Sequence, residues 1–153
     1  MGDWAADWAN DPYDDYNLTL EISYNYDYLA AIKQNVNGPI LVWYPHKEMH
    51  IIPVDWLLKL LLDASKEPVF LREGKRIHVE GWNAEWTNDP DDDYNLVREI
   101  LYNDLYVAVV KQTSNGLTLT WYPQTEMVTV PAEWLSNLLL KAQTELTNLP
   151  SDS

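Results

Sequence analysis

The chain has 153 residues and a formal net charge of −14, from 24 acidic and 10 basic side chains, and it contains no cysteine. The absence of cysteine excludes disulfides, thiolate catalysis and cysteine-ligated zinc. A surface this acidic repels nucleic-acid phosphates and anionic membranes, so we expect a partner that is a cation or a basic protein.

The same segment occurs twice in the sequence. Residues 4–64 align without gaps with residues 82–142 at a constant offset of 78, and 34 of the 61 aligned positions are identical. A repeat of this length indicates a duplicated small domain and not a solenoid unit. We therefore expect repeat one at 1–64 (copy one), a connector at 65–80, and repeat two at 81–153 (copy two), with the two copies packed as a pseudo-dimer.

Each copy opens with a segment that we predict to be a short helix. Its two tryptophans, Trp4 and Trp8 in copy one and Trp82 and Trp86 in copy two, are four residues apart and would share one helix face. An Asn-Asp-Pro sequence then ends the helix, because proline disfavours the helical conformation at the residue before it. An Asp-rich loop follows in both copies.

Four strands of an antiparallel β-meander are predicted next. In copy one they cover about residues 18–24, 28–34, the segment that ends at Trp43, and 49–52, and copy two repeats them at the same offset. Asn37-Gly38 and its counterpart in copy two favour a type I′ hairpin turn, because asparagine and glycine accept its two positive-φ positions. Asn25–Asp27 supplies turn residues for the preceding hairpin.

A proline then begins a helix in each copy. Pro53 and Pro131 suit the first helical position, and the helices Val54–Ala64 and Ala132–Glu145 carry Trp and Leu at a spacing typical of a core-facing stripe. The connector 65–80 is predicted to form a further β-hairpin. The predicted fold class is therefore α+β, a tandem duplication of a short helix, a four-stranded antiparallel β-meander and a C-terminal helix.

The acidic segments beside the opening tryptophans are the first candidate site. Carboxylates next to Trp and Tyr are typical of protein-binding surfaces, since these aromatic side chains combine apolar area with a polar group. The candidate partner-binding residues are Trp8, Asp11, Asp14, Asp15 and Tyr16 in copy one, and Trp86, Asp89, Asp91, Asp92, Asp93 and Tyr94 in copy two. The simpler alternative is a solvated loop in which the Asp side chains cap turns and the tryptophans pack inward.

Metal binding and catalysis are weaker interpretations of the same acids. Asp89, Asp91 and Asp93 alternate as in calcium loops, but Tyr94 stands where such a loop needs glycine, and the twelfth position is not glutamate. No nucleophile motif, phosphate-binding loop or dinucleotide fingerprint is present, and the many acids single out no pair for glycoside hydrolysis. We predict no metal, no cofactor and no enzymatic activity.

Two tryptophans four apart, an acidic stretch, a β-meander and a closing helix with tryptophan follow one another in each copy. The residues concerned are Trp4, Trp8, Asp14-Asp15-Tyr16-Asn17 and Trp56 in copy one, and Trp82, Trp86, Asp91-Asp92-Asp93-Tyr94-Asn95 and Trp134 in copy two. This order resembles the Trp-rich immunity proteins encoded beside bacterial polymorphic toxins. The resemblance implies an inhibitor that binds a toxin and has no catalytic activity of its own.

Charge and resemblance together predict a small, acidic inhibitor or immunity-like protein. It would neutralise a basic nucleic-acid-handling protein, such as a nuclease toxin or a defence effector, partly by imitating phosphate charge. No signal pattern or membrane-spanning apolar run is present, which predicts a soluble, cytoplasmic protein of bacterial or phage use. Two alternatives stay open: a carbohydrate-binding module with exposed Trp and Tyr, and a structural module whose aromatic surfaces join copies of the protein.

Overall fold

A computed structural model describes residues 3–11, 17–34, 38–66, 80–89, 95–114 and 116–147. Within these ranges the chain forms ten β-strands and two α-helices, at equivalent places in the two copies. Copy one contains β1 (Trp4–Asp11), β2 (Asn17–Tyr24), β3 (Asp27–Lys33), β4 (Ile40–Trp43), β5 (His50–Pro53) and α1 (Val54–Lys66). Copy two contains β6 (Trp82–Asp89), β7 (Asn95–Tyr102), β8 (Leu105–Thr113), β9 (Gly116–Trp121), β10 (Val128–Pro131) and α2 (Ala132–Thr147).

The strands form two antiparallel sheets that exchange one strand between the copies. The strand order is β1-β2-β3-β4-β10 in the first sheet and β6-β7-β8-β9-β5 in the second. β10 pairs with β4, starting with Val128 opposite Trp43, and β5 pairs with β9, starting with His50 opposite Trp121. Each copy therefore completes the sheet of the other.

The opening tryptophan segments are edge strands, so the prediction of a short helix is wrong. β1 pairs with β2 over all of its residues, and β6 pairs with β7 in the same register. Positions four apart lie on one side of a strand as well as of a helix, so the tryptophan spacing fits both structures. The burial pattern distinguishes the two structures: Trp4 and Ala6 pack against the core whereas Ala5 and Asp7 are exposed, which is the alternation of a strand.

The predicted α+β fold class, with a four-stranded meander between two helices in each copy, is wrong as well. Each sheet has five strands, because the opening segment joins it as an edge strand and the exchanged strand of the other copy closes its opposite end. The described chain is mostly β-strand, with α1 and α2 as its two helices. The individual β2 and β3 strands nevertheless lie close to their predicted bounds.

Local turn residues behave as their chemistry predicts. Asn25 and Tyr26 have φ values of 51° and 72° in the β2–β3 hairpin, and Asn103 and Asp104 have 50° and 67° in the β7–β8 hairpin. Two successive positive φ values are typical of a type I′ turn, whose twist matches that of the flanking strands. Gly38 and its counterpart Gly116 also have positive φ, of 112° and 111°, while Asn37 and Asn115 lie outside the described residues.

The two helices begin at the predicted residues, Val54 and Ala132, and each extends two residues beyond its predicted end. Pro53 ends β5 and Pro131 ends β10, and each helix starts at the following residue. Asp55 and Glu133 lie in the first turns, where a negative charge interacts favourably with the helix dipole. The Gln143 side-chain amide of α2 donates a hydrogen bond to the Asp55 carboxylate, which links the two helices.

One cluster of buried side chains contains residues of both copies. Trp43 of β4 and Trp121 of β9 are fully buried and stacked, with ring centroids 4.4 Å apart and an angle of 27° between the ring planes. Such a stacked pair adds about 0.5–1.5 kcal/mol to the effect of burial alone. Leu57 and Leu135, at equivalent places in α1 and α2, belong to the same cluster, so the leucine stripes are core as predicted.

The connector is described only at its two ends. α1 continues to Lys66, and Glu80 lies directly before β6 without regular structure. Residues 67–79 lie outside the described residues, so the predicted hairpin stays a prediction.

Candidate functional site

Most of the predicted partner-binding residues lie outside the described part of the chain. Those without any description are Asp14, Asp15, Tyr16, Asp91, Asp92, Asp93 and Tyr94. Asp11 is the last residue of β1 and Asp89 the last of β6, so both acidic segments begin where an edge strand ends. The possible calcium loop falls on the same undescribed residues and stays untested.

The second tryptophan of each copy has a different environment in the two halves. Trp8 is 43% exposed. Trp86 packs against the core, and the guanidinium carbon of Arg98 lies 4.8 Å from its ring centroid, within the range of a cation–π interaction. The equivalent of Arg98 in copy one is Leu20, which is buried in the core. Of the two predicted tryptophans, Trp8 is the exposed one, and the predicted Tyr16 and Tyr94 lie outside the described residues.

The first tryptophan of each copy connects the edges of the two sheets. Trp4 donates its indole N–H to the backbone oxygen of Ile51 at 3.2 Å, and Trp82 donates to Thr129 at 3.0 Å. Because β1 and β6 are edge strands, these bonds join each one to the exchanged edge strand of the opposite sheet. Trp4 also packs on Trp56, with ring centroids 6.0 Å apart. These two tryptophans have a structural role.

Two pairs of acidic residues face each other across the outer strands. Asp7 of β1 lies directly opposite Glu21 of β2, and Glu85 of β6 lies directly opposite Glu99 of β7. Directly opposed like charges destabilise an antiparallel pair. We call these four residues the opposed acids. Sequence reasoning missed them because it placed the opening segments in helices; the signal was an acid retained in both copies at each aligned position.

A cavity lies where the two copies cross. His46 and Gln124, at equivalent positions after β4 and β9, form an isolated antiparallel bridge through their backbones. The cavity has a volume of about 480 Å³. Its walls are Pro45, His46, Lys47, Pro123, Gln124 and Thr125.

Hydrogen bonds fix the protonated nitrogen of His46. Its Nδ1 lies 2.9 Å from the backbone oxygen of Tyr44, which can only accept, so Nδ1 carries the proton. Nε2 then accepts a hydrogen bond from the indole of the buried Trp43 at 3.3 Å. In copy two the Gln124 amide donates to a backbone oxygen, and the buried indole nitrogen of Trp121 has no acceptor within the described residues. His46 is therefore a structural acceptor.

The second histidine at this junction, His50, has a lowered pKa. Burial, and then the nearby His46, lower the pKa of His50 from the ordinary value of 6.5. The rings of His46 and His50 have centroids 5.1 Å apart. Within the described ranges, no group of three or more His, Asp or Glu side chains could hold a metal ion. The junction therefore offers packing and hydrogen bonds.

Two further findings concern the chain as a whole. No helix within the described residues is long and apolar enough to cross a membrane. No protein-family model matches the chain, and neither the curated proteins nor the solved structures give a match.

Proposed function

We propose that this chain is a non-catalytic, cytoplasmic binding protein that inhibits a basic nucleic-acid-handling protein, such as a nuclease toxin or a defence effector. The opposed acids carry the proposal. Both copies keep two acids directly opposite each other on their outer strands, an arrangement that is by itself unfavourable for strand pairing. A surface that binds basic groups gives this unfavourable arrangement a function.

The geometry of the opposed acids suits a guanidinium or ammonium group. Side chains directly opposite each other in an antiparallel pair have their Cβ atoms about 5 Å apart, so one partner cation can contact both carboxylates. Asp7 and Glu85, on the edge strands, are exposed to solvent. The same pair occurs on both sheets, so the molecule presents the arrangement twice.

The acidic segments after β1 and β6 extend this charge. Copy one and the part of the chain from residue 81 onward carry 10 and 11 acids, with three bases each. Such a field attracts a basic partner over several ångströms and raises the association rate, in a manner that salt suppresses. This favours a partner that normally binds phosphates.

Binding and inhibition can be measured with a panel of purified basic nuclease domains at low and at physiological salt. The test variant neutralises the opposed acids as Asp7→Asn, Glu21→Gln, Glu85→Gln and Glu99→Gln. The matched control removes the same charge at exposed positions elsewhere, as Asp63→Asn, Glu126→Gln, Glu133→Gln and Glu145→Gln. We expect the test variant to lose about tenfold or more in affinity for any nuclease that binds, and the control to lose much less.

Two results would count against this function. If no basic nuclease is bound or inhibited at low salt, an inhibitor of this class is rejected. If the test and control variants weaken binding equally, total charge is responsible and the opposed acids are not the surface. Thermal unfolding of both variants separates these outcomes from a loss of folding.

The two alternative functions would depend on exposed aromatic and apolar side chains. A carbohydrate-binding module would use exposed aromatic rings such as Trp8 and Tyr26, which are 43% and 96% exposed, whereas Trp4 and Trp82 form inward contacts. An assembly module would use exposed apolar side chains such as Met49, which is 54% exposed. A glycan array without hits disposes of the first alternative, and a monomer by light scattering disposes of the second.

A further inference from the structure

A second cavity lies between the outer strands of copy two and helix α2. It has a volume of about 340 Å³. Its lining combines indole rings, side-chain amides and basic groups, namely Trp82, Asn83, Ala84, Arg98, Trp134, Asn137, Leu138 and Lys141. The two indole rings have centroids 5.9 Å apart and an angle of 43° between their planes, so they form a continuous, angled apolar wall.

The equivalent positions of copy one separate the lining into two groups. Four positions, all apolar, are identical in both copies: Trp4 and Trp82, Ala6 and Ala84, Trp56 and Trp134, and Leu60 and Leu138. The other four all differ: Ala5 and Asn83, Leu20 and Arg98, Lys59 and Asn137, and Asp63 and Lys141. All four are polar or basic in copy two, whereas copy one has two apolar residues, one base and one acid. The apolar frame is therefore common to both copies, and the combination of two bases with two amides belongs to copy two alone.

The charge at these positions differs as well. Arg98 and Lys141 give copy two a lining of +2, whereas Lys59 and Asp63 cancel in copy one. From residue 81 to the end, the chain has only three bases, and two of them line this one cavity. In a chain with a net charge of −14, this is a local concentration of positive charge.

Arg98 occupies a position that the fold fills with an apolar side chain in copy one. Leu20 is 3% exposed and belongs to the core, and Arg98 lies at the same register position, directly opposite Trp86. A charged group that is partly withdrawn from water is unfavourable unless another group compensates it. The cation–π contact with Trp86 compensates part of this and holds the guanidinium at the cavity.

We propose that this cavity binds a small organic anion, a carboxylate carried on a flat apolar body. The planar guanidinium of Arg98 matches a carboxylate with two parallel hydrogen bonds, and Lys141 adds a second positive charge. Asn83 and Asn137 bring side-chain amide donors to the same lining. The indoles of Trp82 and Trp134 supply the apolar wall for the body of the ligand. This site does not depend on the proposed inhibition of a nuclease.

The test compares three probes by titration calorimetry on the full chain: benzoate, benzamide and phenylphosphate. Benzamide has the shape of benzoate without its charge, and phenylphosphate replaces the planar group with a tetrahedral one. We expect benzoate to bind with one site per chain and about tenfold or more tighter than benzamide. In nitrogen-15 NMR spectra, benzoate should shift the indole N–H signal of Trp82 and leave that of Trp4 unchanged.

Copy one provides the matched variants. Arg98→Leu and Lys141→Asp install residues that the equivalent positions of copy one already accommodate, and each should reduce benzoate affinity about tenfold or more. Leu20→Arg combined with Asp63→Lys should add a second, weaker site, and thermal unfolding confirms that each variant is folded. The proposal is overturned if benzoate and benzamide bind alike, if phenylphosphate binds more tightly than benzoate, or if Arg98→Leu and Lys141→Asp leave benzoate affinity unchanged.

Discussion

Replacing Trp82 with phenylalanine separates the hydrogen bond of its indole from the packing of its ring. The indole N–H donates to the backbone oxygen of Thr129 at 3.0 Å in a partly buried position, and the ring packs on Tyr102 with centroids 4.8 Å apart. Phenylalanine retains an aromatic ring at this place and removes the donor. We therefore expect the variant to weaken the connection between the two sheet edges.

The magnitude follows from the contacts that are lost. A hydrogen bond of this kind contributes about 0.5–1.5 kcal/mol to stability. Phenylalanine also buries less apolar area than tryptophan, and each buried CH₂-sized group that is lost costs about 0.8 kcal/mol. The free energy of unfolding should fall by about 1–2 kcal/mol, which corresponds to about 2–8 °C in Tm for a chain of this size. Trp82→Ala should cost about 3 kcal/mol because it removes the ring as well. Trp4→Phe should cost less than Trp82→Phe, since its bond of 3.2 Å is longer and more exposed.

Urea unfolding, followed by far-ultraviolet circular dichroism, measures these differences directly. Trp8→Phe is the control, because Trp8 is 43% exposed and should change stability by less than about 0.5 kcal/mol. If Trp82→Phe is as stable as the native chain, the indole hydrogen bond contributes nothing. If Trp8→Phe is as damaging as Trp82→Phe, the structural difference between the first and second tryptophan is refuted.

Three further predictions concern single positions. Gln124→His should give the buried indole of Trp121 the acceptor that His46 supplies to Trp43 in copy one. In urea titrations the free energy of unfolding should rise by about 1 kcal/mol, and no gain would contradict this prediction. Asp7→Asn removes the repulsion with Glu21, so the free energy of unfolding should rise by about 0.2–1 kcal/mol at low salt. This gain should shrink at high salt, and a gain independent of salt would contradict the prediction. His50 has a lowered folded pKa, so the stability due to its neutral form is complete above pH 6.5 and is lost as the pH falls through the folded pKa. His50→Val, which installs the residue of copy two, should make the free energy of unfolding less dependent on pH below about pH 6.5. An unchanged pH dependence would refute this prediction.

The sequence was sufficient for the elements that depend on local chemistry. Asn25 and Asn103 predicted their turns because asparagine tolerates positive φ, and both have it. The leucine stripes of α1 and α2 predicted core helices because their apolar spacing fits the helical period. The opening segments failed because Trp4 and Trp8 are four apart, an interval that fits a helix face and a strand face alike.

The strand exchange could not be predicted from the sequence. β5 and β10 follow equivalent segments and precede equivalent helices, so an intact meander and an exchanged one have the same local pattern. Pairing with the opposite copy depends on the packing of both halves around Trp43 and Trp121, which is a property of the assembled core. A one-dimensional pattern specifies which face of a strand is apolar and does not specify its neighbour.

Stability cost identifies candidate functional residues better than retention does. Most positions shared by the copies, such as Trp43 and its counterpart Trp121, are explained by packing alone. The opposed acids are shared although two acids directly opposite each other are unfavourable for strand pairing, and Arg98 stands where copy one has a buried leucine. Core packing alone does not account for these residues, and we propose binding as their role.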